Sequence, residues 1–156
     1  MLRANKLEWT EGYKYRTSKT YWAFINIFPF EEIQIGRITL TVEGLLIIDR
    51  GYSWDGPSGF TIDTKNFMPG SITHDALYEI LRCPAKPLDR KCDIIRDGEI
   101  IHAATHEQVR EEADKTLRDI VQADGMSDFR SNYVYKGVRV GGESSAEKPR
   151  KVYTAP

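Results

Sequence analysis

Two stretches of the chain carry residue types that could do chemistry. The first, Trp54-Asp55-Gly56-Pro57-Ser58-Gly59, is rich in turn formers. Glycine and proline let a backbone bend sharply enough to aim several carbonyl oxygens at one hard cation. The second, His74-Asp75-Ala76-Leu77-Tyr78, follows after a short gap. A neutral imidazole can take a proton from water, a step typically worth about 10² to 10⁴ in rate. If this stretch is helical, Tyr78 shares a face with His74, while Asp75 lies about 100° round the helix and is free for a separate role.

The elements around these stretches predict an α+β chain. Across residues 7 to 50, Ile33, Ile35, Ile38, Leu40 and Val42 alternate with polar neighbours before the apolar run Leu45 to Ile48, the pattern of a small antiparallel sheet. Arg50 to Gly70, with Gly51, Gly56, Pro57, Gly59 and Pro69, reads as a structured loop. A helix is predicted over Ser71 to Arg82, where Ile72, Ala76 and Ile80 and the row His74, Leu77, Tyr78 and Leu81 fall at helical spacing until Pro84 stops it. Ile94-Ile95-Arg96 and Glu99-Ile100-Ile101 flank Asp97-Gly98, a hairpin signal because that pair tolerates the positive φ of a tight turn. Thr105 and Gln108 form a capping box for a second helix whose apolar face is Val109, Ala113, Leu117, Ile120 and Val121, with Asp114 at its edge and Gly125 at its end. Ser127 opens a third helix bearing Phe129, Tyr133, Val134 and Val138, ended by Gly141-Gly142. The sheet comes first and the helices later, so one domain is expected over 1–142, followed by a polar tail, 143–156, expected to be mobile or to form an arm on a partner.

The loop and the His-Asp-x-x-Tyr stretch together resemble the two linked motifs of the phospholipase A2 superfamily, above all its compact viral capsid form with a Tyr-x-Gly-Pro-Gly loop. The resemblance implies that His74 is the base, that Tyr78 helps hold a buried aspartate on the following helix, and that Asp75 with the carbonyls of Trp54, Gly56 and Ser58 binds Ca²⁺. It implies Asp114 as the buried aspartate, since Glu112-Ala113-Asp114-Lys115-Thr116-Leu117 is similar to the Ala-Asp-rich helix of the viral enzymes. The chain departs from the family in having Ser58 at a usual loop glycine, Leu77 in place of a helix cysteine, and no disulfide framework. A second resemblance, carried by Tyr-x-Trp-Asp-Gly-Pro-Ser-Gly, His-Asp-Ala-Leu-Tyr, Asp-Gly-Met and Tyr-x-x-Val-Arg between Tyr52 and Arg139, is to a phage-encoded family of unknown function. Together they imply a phage or prophage protein hydrolysing phospholipid esters, or a non-catalytic virion protein of tail or neck that shares the fold. Its partners would then be a phospholipid substrate and other virion proteins.

Composition narrows the field. The chain has 156 residues, 40% hydrophobic and 29% charged, which suits one folded domain. Lysine and arginine (22) nearly balance aspartate and glutamate (23), so the overall field neither calls for nucleic acid nor excludes it; no nucleic-acid partner is expected. With only Cys83 and Cys92 the core must hold by packing, and both are expected as free or structural thiols. No signal-like h-region opens the sequence and no run is long enough to span a membrane, so synthesis in a host cytoplasm is expected, with packaging in the virion for a structural role. Asp55 is expected to stabilise the turn with its side chain. His102 and His106 could pair with His74 and Asp75 as a phosphohydrolase metal site, but the cap at Thr105 breaks a shared helical face. Tyr13, Tyr15, Tyr21, Trp22, Phe24, Phe28 and Phe30 are expected in the core or at a protein interface.

Overall fold

A computed structural model describes residues 3–10, 15–55 and 65–142. Gly56, Ser58, Tyr13 and the tail 143–156 lie outside the described residues. The elements run β1 (Trp9–Thr10), β2 (Tyr15–Thr17), β3 (Tyr21–Phe24), β4 (Ile27–Pro29), β5 (Ile33–Ile35), β6 (Ile38–Leu40), β7 (Leu45–Ile48), β8 (Ser53–Trp54), α1 (Met68–Arg82), β9 (Cys92–Arg96), β10 (Glu99–Ile101), α2 (His106–Ala123) and α3 (Asp128–Gly141). The chain is therefore α+β, an antiparallel strand region followed by three helices.

Among the described residues the strands form three small antiparallel sheets rather than one. The largest has the order β3-β7-β6-β5. Its register aligns Tyr21 with Ile48 and Ile38, and Ala23 with Leu46, Leu40 and Ile33. These residues are all buried, while Trp22, Phe24, Leu45 and Ile47 on the other face are half-exposed. Period-two alternation thus selects which face meets the core.

The predicted hairpin is present: β9 and β10 pair across Asp97 and Gly98, both at positive φ. Its inner strand also pairs with β4, which carries the hairpin into a β10-β9-β4 sheet. The third sheet, β1-β2-β8, places Trp54 opposite Tyr15. The expected loop between Arg50 and Gly70 is thus interrupted by a strand, which two residues are too few to announce by periodicity.

The first helix begins at Met68, three residues earlier than its apolar pattern suggests, with Pro69 in the first turn, where its missing N–H is no loss. The second has the full capping box at Thr105 and Gln108, and Ser127 caps the third by accepting from the Arg130 N–H. The first two helices pack antiparallel: Gly70 lies against Leu117 and Val121, His74 and Tyr78 against Asp114, and the His106 ring against the Leu81 carbonyl. A Cβ on Gly70 would come within 2.7 Å of Val121 Cγ1 and 2.9 Å of Leu117 Cδ1, so this glycine sets how closely the helices approach. No helix among the described residues is long and apolar enough to cross a membrane.

Candidate active site

The helix pair brings His74, Tyr78 and Asp114 together. His74 Nε2 lies 2.7 Å from Asp114 Oδ1, and the Tyr78 hydroxyl donates to the same oxygen at 2.7 Å. The i, i+4 spacing on α1 brings the two rings together, with centroids 4.2 Å apart and planes tilted by 36°. A carboxylate can only accept, so Nε2 carries a proton, and in the neutral imidazole Nδ1 is then the nitrogen with the free lone pair. The His74 side chain is 15% exposed and that of Asp114 is fully buried. One member of the pair is thus within reach of solvent while the other is sealed beneath it.

Asp114, which its spacing places at the edge of the apolar face, is fully buried, because α3 covers it. Arg139 of α3 donates from Nη1 to Asp114 Oδ2 at 2.9 Å, and Arg110, one turn earlier on α2, sits 3.7 Å from the same oxygen. Glu107 receives the Arg110 guanidinium through both of its oxygens, at 2.8 and 2.9 Å, and also pairs with Arg139. Two carboxyl and two guanidinium side chains close the cluster, which gives the buried aspartate cationic partners to offset its burial. Hydrogen bonds from Arg110 above all hold the Glu107 carboxyl below its ordinary value, against a smaller opposing effect of burial. Burial first, and the Asp114 charge second, push the Tyr78 hydroxyl well above the usual tyrosine range, so it remains a proton donor.

Asp75 points to another side of α1. Its Oδ2 lies 3.2 Å from the Tyr52 hydroxyl, and Glu79, one turn on, offers Oε1 to the same hydroxyl at 3.1 Å. Burial and then these two carboxylates raise the Tyr52 pKa strongly. Trp54 is 1% exposed, and its indole N–H donates to Ser71 Oγ at 3.2 Å, tying the strand before the loop to the first turn of α1. Of the four residues implied as calcium ligands, Trp54 and Asp75 are described, and Gly56 and Ser58 lie outside the described residues. Asp75, Glu79 and Tyr52 offer oxygen donors only, which suits a hard cation in kind but not in number, since calcium takes six to eight. No group of three His, Cys, Asp or Glu side chains among the described residues is placed to hold a metal ion.

His102 and His106 do not join His74. The first pairs with Asp93 Oδ1 at 2.7 Å on the surface, and the second opens α2 with Nε2 3.0 Å from the Leu81 carbonyl. Cys83 and Cys92 are free thiols, and burial pushes the Cys92 thiol up to about 12, far from a reactive thiolate. Of the described aromatics, Tyr21 is 1% exposed and Phe30 48%. Arg110, Arg139, Tyr52 and Glu79 were not singled out from the sequence as site residues. A local signal existed for Arg110, four residues before Asp114 on one helical face, and Arg139 closes the Tyr-x-x-Val-Arg motif.

No known protein family, curated protein or solved structure matches this chain. Its chemistry must be argued from its own residues.

Proposed function

We propose that the chain is a calcium-dependent, phospholipase-A2-like ester hydrolase encoded by a phage or prophage. The observation that carries this reading is the His74–Asp114 hydrogen bond with Tyr78 on the same carboxylate oxygen. In this reading Nδ1 of His74 takes a proton from the attacking water. The Asp114 carboxylate holds the imidazole in the tautomer that leaves Nδ1 free and balances the imidazolium as it forms. Tyr78 fixes the carboxylate in turn. Asp75, with backbone carbonyls at Trp54, Gly56 and Ser58, would hold the calcium ion. When bound, that ion would supply Lewis-acid polarisation of the ester carbonyl.

The test is fatty-acid release from mixed phospholipid liposomes with and without calcium, using the wild type and His74→Gln. The variant should lose cleavage and keep its fold, since glutamine can still hydrogen-bond to Asp114. Wild-type protein that releases no fatty acid at millimolar calcium sinks the hydrolase reading. One observation favours a second reading, a non-catalytic virion protein of tail or neck. Phe129 and Val140 on α3 are 84% and 86% exposed, and large apolar side chains left in water suit a face that another protein covers.

A further inference from the structure

The last turn of α3 touches the His74–Asp114–Tyr78 group at two independent points. Arg139 Nη1 donates to Asp114 Oδ2 at 2.9 Å, on the oxygen that His74 and Tyr78 leave open. Three residues on, Gly142 caps the helix with its N–H on the Val138 carbonyl at 2.8 Å. A Cβ at Gly142 would come within 2.5 Å of the Val138 oxygen and would collide with the Tyr78 hydroxyl. Its φ of −85° is open to any residue, so the glycine is required by space and not by backbone conformation.

We propose that Arg139 is a positioning residue for His74, acting through Asp114, and that Gly142 is the close-approach point that lets the α3 turn bring it there. As a statement about catalysis this rests on the ester-hydrolase reading above.

A carboxylate held only through Oδ1 can swing about χ2, a broad torsion with no staggered wells. A guanidinium on Oδ2 removes that freedom, so Oδ1 stays aimed at Nε2. The other cation near Asp114, Arg110, cannot replace it. Its Nη1 is 3.7 Å from Oδ2, its Nε and Nη2 are committed to Glu107, and it belongs to the same helix as Asp114. Arg139 is the contact that ties the free oxygen of the aspartate to α3. Its Nη2 also meets Glu107, which fixes the plane of the guanidinium before it reaches Asp114.

The test has a readout independent of ester cleavage. A hydrogen-bonded imidazole N–H exchanges slowly with water and gives its own downfield proton resonance, so the His74 Nε2–H signal reports directly on the bond to Asp114. It should be present in the wild type, retained in Arg139→Lys, which keeps a donor and the charge, and lost to exchange in Arg139→Gln at a temperature where circular dichroism shows the chain folded. If Arg139→Gln does not fold, Gly142→Ala takes its place, because it displaces the α3 turn and leaves every charge where it was. On liposomes, Arg139→Gln should lower kcat by about 10- to 100-fold, the loss expected of a misplaced catalytic group, with KM within about twofold. Arg139→Lys should recover most of it. A His74 signal unchanged in Arg139→Gln and in Gly142→Ala overturns the proposal, as does a kcat loss that lysine does not rescue. A signal that responds as expected in a protein that cleaves no ester upholds the positioning role and refutes the hydrolase reading instead.

Discussion

Asp114→Asn separates the electrostatics of the cluster from its shape, because asparagine has nearly the same volume and still offers one oxygen. With Asn Oδ1 kept on His74 and Tyr78, the new NH₂ faces the Arg139 and Arg110 guanidiniums, donor against donor. The cluster then holds two cations against Glu107 alone. Removing one partner of a buried ion pair costs about 3–5 kcal/mol, chiefly through the charge left uncompensated. The two arginines differ in how well they can escape this. The Arg139 side chain is 23% exposed and can turn to water, whereas Arg110 is 5% exposed and cannot. That places the expected loss near the lower limit, about 3 kcal/mol, or a fall in Tm of about 6–12 °C for a chain of this size. Urea unfolding should show the loss as a lower midpoint at unchanged slope. Raising the salt concentration should restore little of it, because the pair is shielded from counterions. A loss below about 1 kcal/mol, the size of a surface ion pair, would refute the claim that Asp114 and the two guanidiniums form a mutually compensating buried cluster.

Three further outcomes follow from the same geometry. On the proposed calcium reading, Asp75→Asn should weaken calcium binding sharply while costing less than about 1 kcal/mol, since the Tyr52 hydroxyl keeps an acceptor in the amide oxygen and in Glu79; isothermal calorimetry with a parallel thermal melt measures both. Gly70→Ala should destabilise, because the roughly 1–3 kcal/mol of overpacking against Val121 and Leu117 exceeds the roughly 1 kcal/mol that alanine gains in a helix; a higher Tm would show that the helices have room to spare. Glu107→Gln should flatten the acid limb of the stability profile. The native Glu107 carboxyl sits below its ordinary 4.5, so its contribution is complete above the unfolded pKa and is lost as pH falls through the folded one. Denaturation midpoints measured for both proteins from neutral pH downward should converge at the acid end, and parallel curves would exclude Glu107 as the source.

What could be read from the sequence was what local chemistry encodes. The capping box at Thr105 and Gln108, the Asp97-Gly98 turn and the shared face of His74 and Tyr78 each depend on residues within four positions of one another. Signals that need distant partners were lost. The pairing of β4 with β9 joins Phe28 to Asp93 across the whole first half of the fold, and nothing near either residue announces it. Pro69 looked like loop punctuation because proline breaks a helix interior and opens a helix start equally well. The resemblance points to Asp114 as a buried aspartate; what no local pattern names is its cover, a helix from farther along the chain. Ser53 and Trp54 read as part of the Arg50 to Gly70 loop because a two-residue strand has no period. The calcium loop itself remains a sequence expectation at Gly56 and Ser58, which lie outside the described residues.

The anchoring of α2 has a mechanical consequence. Glu112 and Asp114 are two residues apart and so point to nearly opposite sides of the helix. Glu112 accepts Arg96 from β9 through both oxygens, at 2.9 and 3.1 Å from Nε, and the same guanidinium reaches Asp119 two turns along at 2.7 Å. One side of the helix is therefore bolted to the hairpin and the other to α1 and α3. A helix gripped on a single side can roll about its own axis, and a small roll would swing Asp114 away from His74. Gripped on both, it resists torsion, so the orientation of the imidazole is set during folding and, on the proposed hydrolase reading, would add no ordering entropy on substrate binding.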